Sequence, residues 1–261
     1  MKSHSSNVSR RTLLFMALQG AGALLLGGCK NVFDQIHQNK TILSILESAE
    51  GLNQKALRLL TPKGALAKEF SEKEISSYFK PNGNPPPLDP RYVQDGLRGW
   101  ASWRLEVTGH VNNPGKFSLN QVKKLPSRTQ ITRHDCVEGW SAIAKWKGVP
   151  LSEIIKLVQP KPVAKYIIFY CMDVDSQGVH FYQSIDLLDA MHPQTILAYE
   201  MNDKPLPVQH GAPIRLRLEM QLGYKMAKYI SKIELVSSLD GIGGGRGGYW
   251  EDLGYSWYAG I

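Results

Sequence analysis

Apolar residues recur at two periods along this chain. Residues 41–60, TILSILESAEGLNQKALRLL, space Ile42, Ile45, Leu46, Leu52, Leu59 and Leu60 near one face of a helix. The stretch PNGNPPPLDP, Pro81–Pro90, breaks any regular element, because proline lacks the N–H that a helix interior or a central strand needs. SWRLEVTGHV then alternates, with Trp103, Leu105 and Val107 on one face of a predicted strand. NNPGKFSL predicts a turn followed by a short helix capped by Ser118. PSRTQITRHDC predicts a strand that delivers Cys136 at its end, and VPLSEIIKLV predicts a helix. AKYIIFYC is apolar without interruption, as a strand buried on both faces would be. A short helix (SIDLLDAMHP), a strand (TILAYEMN) and a turn (NDKPLP) follow. APIRLRLEM and KYISKIELV alternate strictly and predict two further strands. The chain closes on GIGGGRGGYWEDLGYSWYAGI, glycine-rich and then aromatic. No internal repeat occurs. Short elements of both kinds, without regular β-α-β alternation, predict an α+β fold of mixed sheets and short helices.

A length of 261 residues allows one large domain or two small ones with a real core. Composition is ordinary for a globular protein, and nothing beyond the N-terminus is apolar for long enough to span a membrane. Of the net charge of +8, the first 29 residues carry three basic side chains and no acid, leaving +5 for the rest. That excess suits an anionic ligand or an acidic membrane surface, and equally a solvated lysine face. No nucleic-acid-binding motif is present, so nucleic acid is set aside as a partner.

The N-terminal run SRRTLLFMALQGAGALLLGGC has the layout of a secretion signal. Paired Arg10 and Arg11, with Ser9 before them and Leu13 and Leu14 after, resemble the twin-arginine consensus; the alternative is an ordinary secretory signal. LLGGC resembles a lipobox with Cys29 as the lipidated residue, the alternative being a chance cysteine near a small-residue cleavage site. The twin-arginine route exports folded proteins, often with a cofactor already inserted, and so leans towards a cofactor enzyme. The expected location is the periplasm, with membrane attachment if Cys29 carries lipid.

Cys136 sits in RHDCVEGWS and admits four readings. It is half of a disulfide with Cys171, a plain buried thiol, a nucleophile activated by His134 or Glu138, or a metal thiolate. A nucleophile also calls for an oxyanion loop, and none is recognisable. Nearby basic residues suit a thiolate. One cysteine cannot hold zinc tetrahedrally, and no His/Cys spacing supports a zinc site. A single cysteine ligand makes sense only where a cofactor brings the other ligands.

RHDCVEGWSAIAKWKGVPLSEII resembles the molybdenum-binding segment of the sulfite oxidase superfamily of molybdopterin enzymes. SIDLLDAM, LAYEMNDKPLP, HGAPIRL and GYKMAKYI follow in the family's order, and the resemblance runs from about Tyr78 to the C-terminus. After the signal over 1–29 and a helical segment over 30–75, it implies a Mo-molybdopterin oxidoreductase domain of sulfite-oxidase type over 76–261. It implies Cys136 as the protein's ligand to molybdenum. Implied cofactor contacts are Asn82 and Asn84 along the pterin, His210 and Arg215 on the pterin and its phosphate, and Gly223, Tyr224 and Lys225 as a phosphate cradle with Lys228 close by. Cys171 falls where relatives carry a polar residue near the metal, and a core thiol is its alternative. Trp140 stands beside the metal, and Tyr249, Trp250, Tyr255 and Trp257 are candidate walls of a substrate funnel.

Two departures matter. Sulfite oxidases bind their dianion with arginines at positions that here hold Pro81 and Ser141. CVEGWS looks closer to the periplasmic branch that reduces methionine sulfoxide, although the tail GYWEDLGYSWYAGI differs from that branch. The expectation is an exported enzyme that moves an oxygen atom by reducing a small S-oxide or N-oxide. With no heme motif or flavin fingerprint in the chain, its electrons come from a membrane or soluble cytochrome. The alternatives are sulfite-type oxidation, or a non-catalytic periplasmic lipoprotein on the same scaffold.

Overall fold

The computed structural model describes residues 51–60 and 64–261. The chain divides into two compact units, residues 1–53 and 54–261, and everything below lies in the second. Residues 51–60 are helical, the later half of the helix predicted over 41–60. The predicted signal, Cys29 and residues 41–50 lie outside the described residues.

Among the described residues, ten strands form two sheets. The first runs in the order β2 (Gly115–Ser118), β1 (Arg104–Gly109), β10 (Ile230–Val236), β5 (Tyr166–Val174), β6 (His180–Asp186). The second runs β3 (Arg128–Asp135), β4 (Ser141–Pro150), β7 (Ile196–Met201), β8 (Lys204–Pro205), with β9 (Arg215–Arg217) also on β7. β1 and β10 pair in parallel and all the other pairs are antiparallel. Five short α-helices connect them: α1 (Pro90–Leu97), α2 (Leu119–Lys124), α3 (Leu151–Val158), α4 (Leu187–Ala190) and α5 (Tyr249–Asp252). This is the α+β architecture of mixed sheets that the apolar pattern predicts.

Alternation places Leu105 and Val107 of β1, Ile167 and Phe169 of β5, and Ile233 and Leu235 of β10 in one core. There they meet Leu151, Ile154, Ile155 and Val158 of α3. A second cluster gathers Ala142, Ala144 and Trp146 of β4 with Phe79, Ile196 and Ala198. Local chemistry starts and stops the helices. Ser118 Oγ accepts from Gln121 N at the head of α2, and Gln121 Oε1 accepts from Ser118 N, a reciprocal capping box. Asp186 Oδ1 accepts from Asp189 N at the head of α4.

Three expectations need correction. β2, β4, β6 and β8 were not predicted as strands; in β4 three of the buried positions, Ala142, Ala144 and Gly148, are small, which mutes the period-2 signal. Pro90 opens α1 rather than closing a loop: Asp89 Oδ1 accepts from Arg91 N, and proline is well tolerated in a helix's first turn. APIRLRLEM yields only the three-residue β9, and its polar side is not a solvent face, because Arg215 and Arg217 are both fully buried.

Candidate functional site

β3 and β4 stay in register up to Asp135 opposite Ser141, so residues 136–140 must close a tight loop. Cys136 N donates to Trp140 O (2.9 Å) and Gly139 N donates to Cys136 O (3.0 Å). The strand pair thus carries Cys136 on its tip, at the wall of a cavity shared with Asn82, Asn84, Gly223, Tyr224 and Lys228. Val137, Phe181, Met226, Trp250 and Tyr255 give that cavity an apolar, aromatic side.

Burial pushes the Cys136 thiol up, against the pull of the Glu138 and Val137 backbone N–H groups and of Lys80. A raised thiol lends no support to the reading of Cys136 as an activated nucleophile. The disulfide reading falls, since both cysteines are free and Cys171 packs in the main core. Among the described residues no three His, Cys, Asp or Glu side chains are grouped to hold a metal, so a metal on Cys136 needs further ligands from elsewhere.

Behind the cavity lies a buried cationic floor. Arg215 is fully buried, stacks 5.1 Å from the Trp146 ring centre and donates from Nη1 to His210 O (3.1 Å), while its Nε and Nη2 find no partner among the described residues. Burial, then Arg217, pull it down to about 9, so it stays charged at neutral pH. His210 is pulled down to about 4 by burial, then by Arg215 and Lys228, and stands neutral with Nδ1 unpartnered. Lys228 donates from Nζ to Asn84 O (2.9 Å), and burial with Arg215 pulls it down to about 8. Gly211 joins these groups: at φ +107° it turns the chain as L residues rarely do, and a Cβ there would lie 2.9 Å from Lys228 Cβ and 3.2 Å from Arg215 Cβ. An unpaired buried guanidinium is destabilising by roughly 3–5 kcal/mol. The unpartnered donors Arg215 Nε and Nη2 fit an anionic group such as a pterin phosphate, while the unpartnered Asn82 Oδ1 accepts and fits an N–H donor such as a pterin ring carries.

A family model described as an oxidoreductase molybdopterin-binding domain matches residues 92–240. The chain belongs to this family. A relative in Azospira oryzae, YedZ1, provisionally described as a protein-methionine-sulfoxide reductase subunit, is 36% identical over 97% of this chain and 88% of its own. The protein-methionine-sulfoxide reductase catalytic subunit MsrP of Xanthomonas axonopodis pv. citri is 39% identical over 53% of this chain, which spans under half (46%) of that protein. Among solved structures, the sulfane dehydrogenase SoxCD of Paracoccus pantotrophus matches with a TM-score of 0.48 at 20% identity, over 53% of this chain and 39% of that one. The protein is therefore a molybdopterin oxidoreductase, an enzyme, and the reading as a non-catalytic lipoprotein is set aside.

The other residues singled out in the sequence of this molybdopterin-binding domain scatter around the cavity. Lys225 lies outside its wall: Nζ donates to Glu251 Oε1 (2.5 Å) and to Gln183 Oε1 (2.7 Å), tying in the C-terminal tail. Trp140 stacks obliquely on His134, with ring centres 5.4 Å apart, and donates from Nε1 to Glu138 Oε2 (2.9 Å). Trp257 donates to Ser184 Oγ (2.7 Å) and Tyr249 to Asp175 Oδ2 (2.7 Å), so these two brace the tail rather than wall the cavity.

Sequence reasoning missed three polar residues. Arg217 and Glu219 form a fully buried ion pair (2.6 Å), and Arg217 Nη1 lies 3.1 Å from His134 Nδ1. A guanidinium only donates, so His134 Nδ1 accepts and its proton sits on Nε2. Burial, then Arg217, hold His134 well below the usual imidazole range. Gly223 is packed against this ring: a Cβ there would lie 2.3 Å from His134 Nε2. The third is Asp173, a buried carboxyl on the cavity wall. Arg217 was hidden in an alternating strand, and Asp173 carried no motif.

Proposed function

We propose that the protein is an exported molybdenum–molybdopterin enzyme that reduces a neutral S-oxide or N-oxide with electrons from a cytochrome. The observation that carries this reading is the pairing of the charges that flank the Cys136 loop. Pro81 and Ser141 stand where sulfite oxidases are expected to place arginines, and the two nearby cations are both neutralised. Lys80 pairs with Glu138 (2.9 Å) and Arg133 with Asp135 (2.9 Å), while Ser141 Oγ donates to that same Asp135 (2.5 Å). In this reading Lys228 and Arg215 are taken up by the cofactor, so a sulfite dianion would shed water without a further cationic partner, whereas a neutral oxide has no such need. The printed names of the relatives, which speak of methionine sulfoxide, support the same reading.

When bound, molybdopterin holds a molybdenum centre that exchanges an oxygen atom and two electrons with a substrate. Cys136 would supply a thiolate to that centre; Arg215, Lys228 and His210 would hold the cofactor's anionic and polar groups. Phe181, Trp250 and Tyr255 wall the cavity against water and offer soft apolar surface to a thioether. Export rests on Arg10 and Arg11 and the apolar run after them, and membrane attachment on Cys29.

Metal and pterin analysis of the purified protein should find molybdenum with bound molybdopterin. Steady-state kinetics with a viologen or ferricyanide should then compare sulfite oxidation with reduction of methionine sulfoxide and simple S- and N-oxides. Each missing charge-assisted contact weakens an anion by about 1.5–3 kcal/mol, so sulfite should lag by on the order of a hundredfold. A sulfite kcat/KM above that of every oxide overturns the reading.

A further inference from the structure

Asp173 stands out from its strand. The inward face of β5 carries Ile167, Phe169 and Cys171, all buried in the main core, and the next inward position is Asp173. A carboxyl in such a row is costly unless something uses it. The pairing of β5 with β6 slips between Tyr170 and Val174, an irregularity of the kind that re-aims side chains beside functional sites. Asp173 is 2% exposed yet lines the same cavity as Cys136. Its Oδ1 has no hydrogen-bond partner, and the Asn84 amide comes near without reaching hydrogen-bond geometry. The charged and titratable groups that face it are Lys228, His180, Cys171, Tyr92 and Tyr229.

We propose that Asp173 is the proton donor of the reduction, placed to protonate the oxygen that leaves the substrate. The proposal rests on the oxide-reductase reading above. The reaction balances as one sulfoxide, two protons and two electrons giving one thioether and one water. The sulfur–oxygen bond breaks and the sulfur is reduced. Two electrons arrive from a one-electron carrier of the heme class, or from a reduced viologen in the assay. One proton comes from the Asp173 carboxyl, the other from water at the cavity mouth, and solvent then reprotonates the carboxylate.

The other acids on the cavity wall suit this task less. Glu138 is exposed, and its hydrogen bonds to Lys80 and then Trp140 hold it below the usual carboxylate range, so it is ionised at neutral pH. Tyr224 donates its hydroxyl to Ser256 O (2.6 Å), and Lys228 donates to Asn84 O. Burial pushes Asp173 up to about 6, against the pull of Lys228 and Asn84, which leaves a protonated fraction near neutral pH.

The test measures the pH dependence of kcat for methionine sulfoxide with reduced viologen, using cofactor-loaded wild type, Asp173→Asn and Asp173→Glu. A general acid acts protonated, so wild-type kcat should be full below about pH 6 and fall as pH rises through it. Asp173→Asn should lose kcat by on the order of 10²-fold, keep its KM, and lose that limb of the profile. Asp173→Glu should recover part of the rate and keep the limb. Infrared difference spectra of the loaded protein should show a carboxyl band that titrates near pH 6 and is missing in Asp173→Asn. An Asn variant with wild-type kcat and profile, a flat profile in Asp173→Glu, or a carboxyl ionised throughout overturns the proposal alone. A wild type that turns over sulfite and no oxide overturns the oxide-reductase reading, and Asp173's role with it.

Discussion

Arg215 is a single residue whose burial motivates a proposed binding role. A fully buried guanidinium with two idle donors is a poor element of stability, since removing such a charge is often neutral or stabilising. Arg215→Met should therefore leave the cofactor-free protein at least as stable in urea unfolding, while the purified variant retains little molybdopterin. A large loss of stability with full pterin content would show that Arg215 serves the fold. Asp173 makes the same point with the opposite charge. Its carboxyl is raised from 3.8 to about 6, so the folded state binds the proton more tightly than the unfolded chain does. Stability then falls as pH rises from about 4 to 6 and stays reduced above that window. Asp173→Asn should stabilise the cofactor-free protein at pH 7 by on the order of 2 kcal/mol, with the gain fading towards pH 4. Unfolding curves at the two pH values check the sign.

At the scale of elements, the cavity is closed by the chain's last helix. α5 carries Trp250 onto the wall and Glu251 into a pair with Lys225 in which both side chains are 1% exposed. Asp252 adds a bond to Tyr182 and accepts from Gly244 N (2.7 Å) and Arg246 N (3.0 Å), so the glycine-rich run is folded around one carboxylate. Glu251→Ala removes the carboxylate from a buried ammonium and should cost about 3–5 kcal/mol. It should also loosen the aromatic wall, raising KM for oxide substrates more than it lowers kcat. Thermal unfolding together with the KM–kcat split tests this; an unchanged melting temperature would mean that the tail is held by its aromatic contacts alone.

For the molecule as a whole, the proposed export through the twin-arginine route would let a cofactor be inserted into a folded site first. Replacing Arg10 and Arg11 together by Lys should leave the loaded enzyme in the cytoplasm, as fractionation and activity in each compartment would show. Normal periplasmic accumulation of that double variant would rule the route out.

The sequence alone was enough for the α+β class, for the helix cap at Ser118, and for the set of motifs around Cys136, His210, Arg215 and Gly223 that signals a molybdopterin enzyme. These are local properties: periodicity and capping act within a few residues, and the motifs are contiguous. Tertiary structure decided what covers each face. Alternation in APIRLRLEM told which side chains share a side, but only the docking of Trp146 made the arginine side an interior one. Lys225 read as a phosphate ligand, yet a carboxylate 26 residues away in the tail takes up its ammonium. Asp173 and Arg217 belong to no quoted motif, and they matter through partners brought in from distant strands. Burial, and with it the cost or use of a charge, is a property of the packed molecule; no window along the chain contains it.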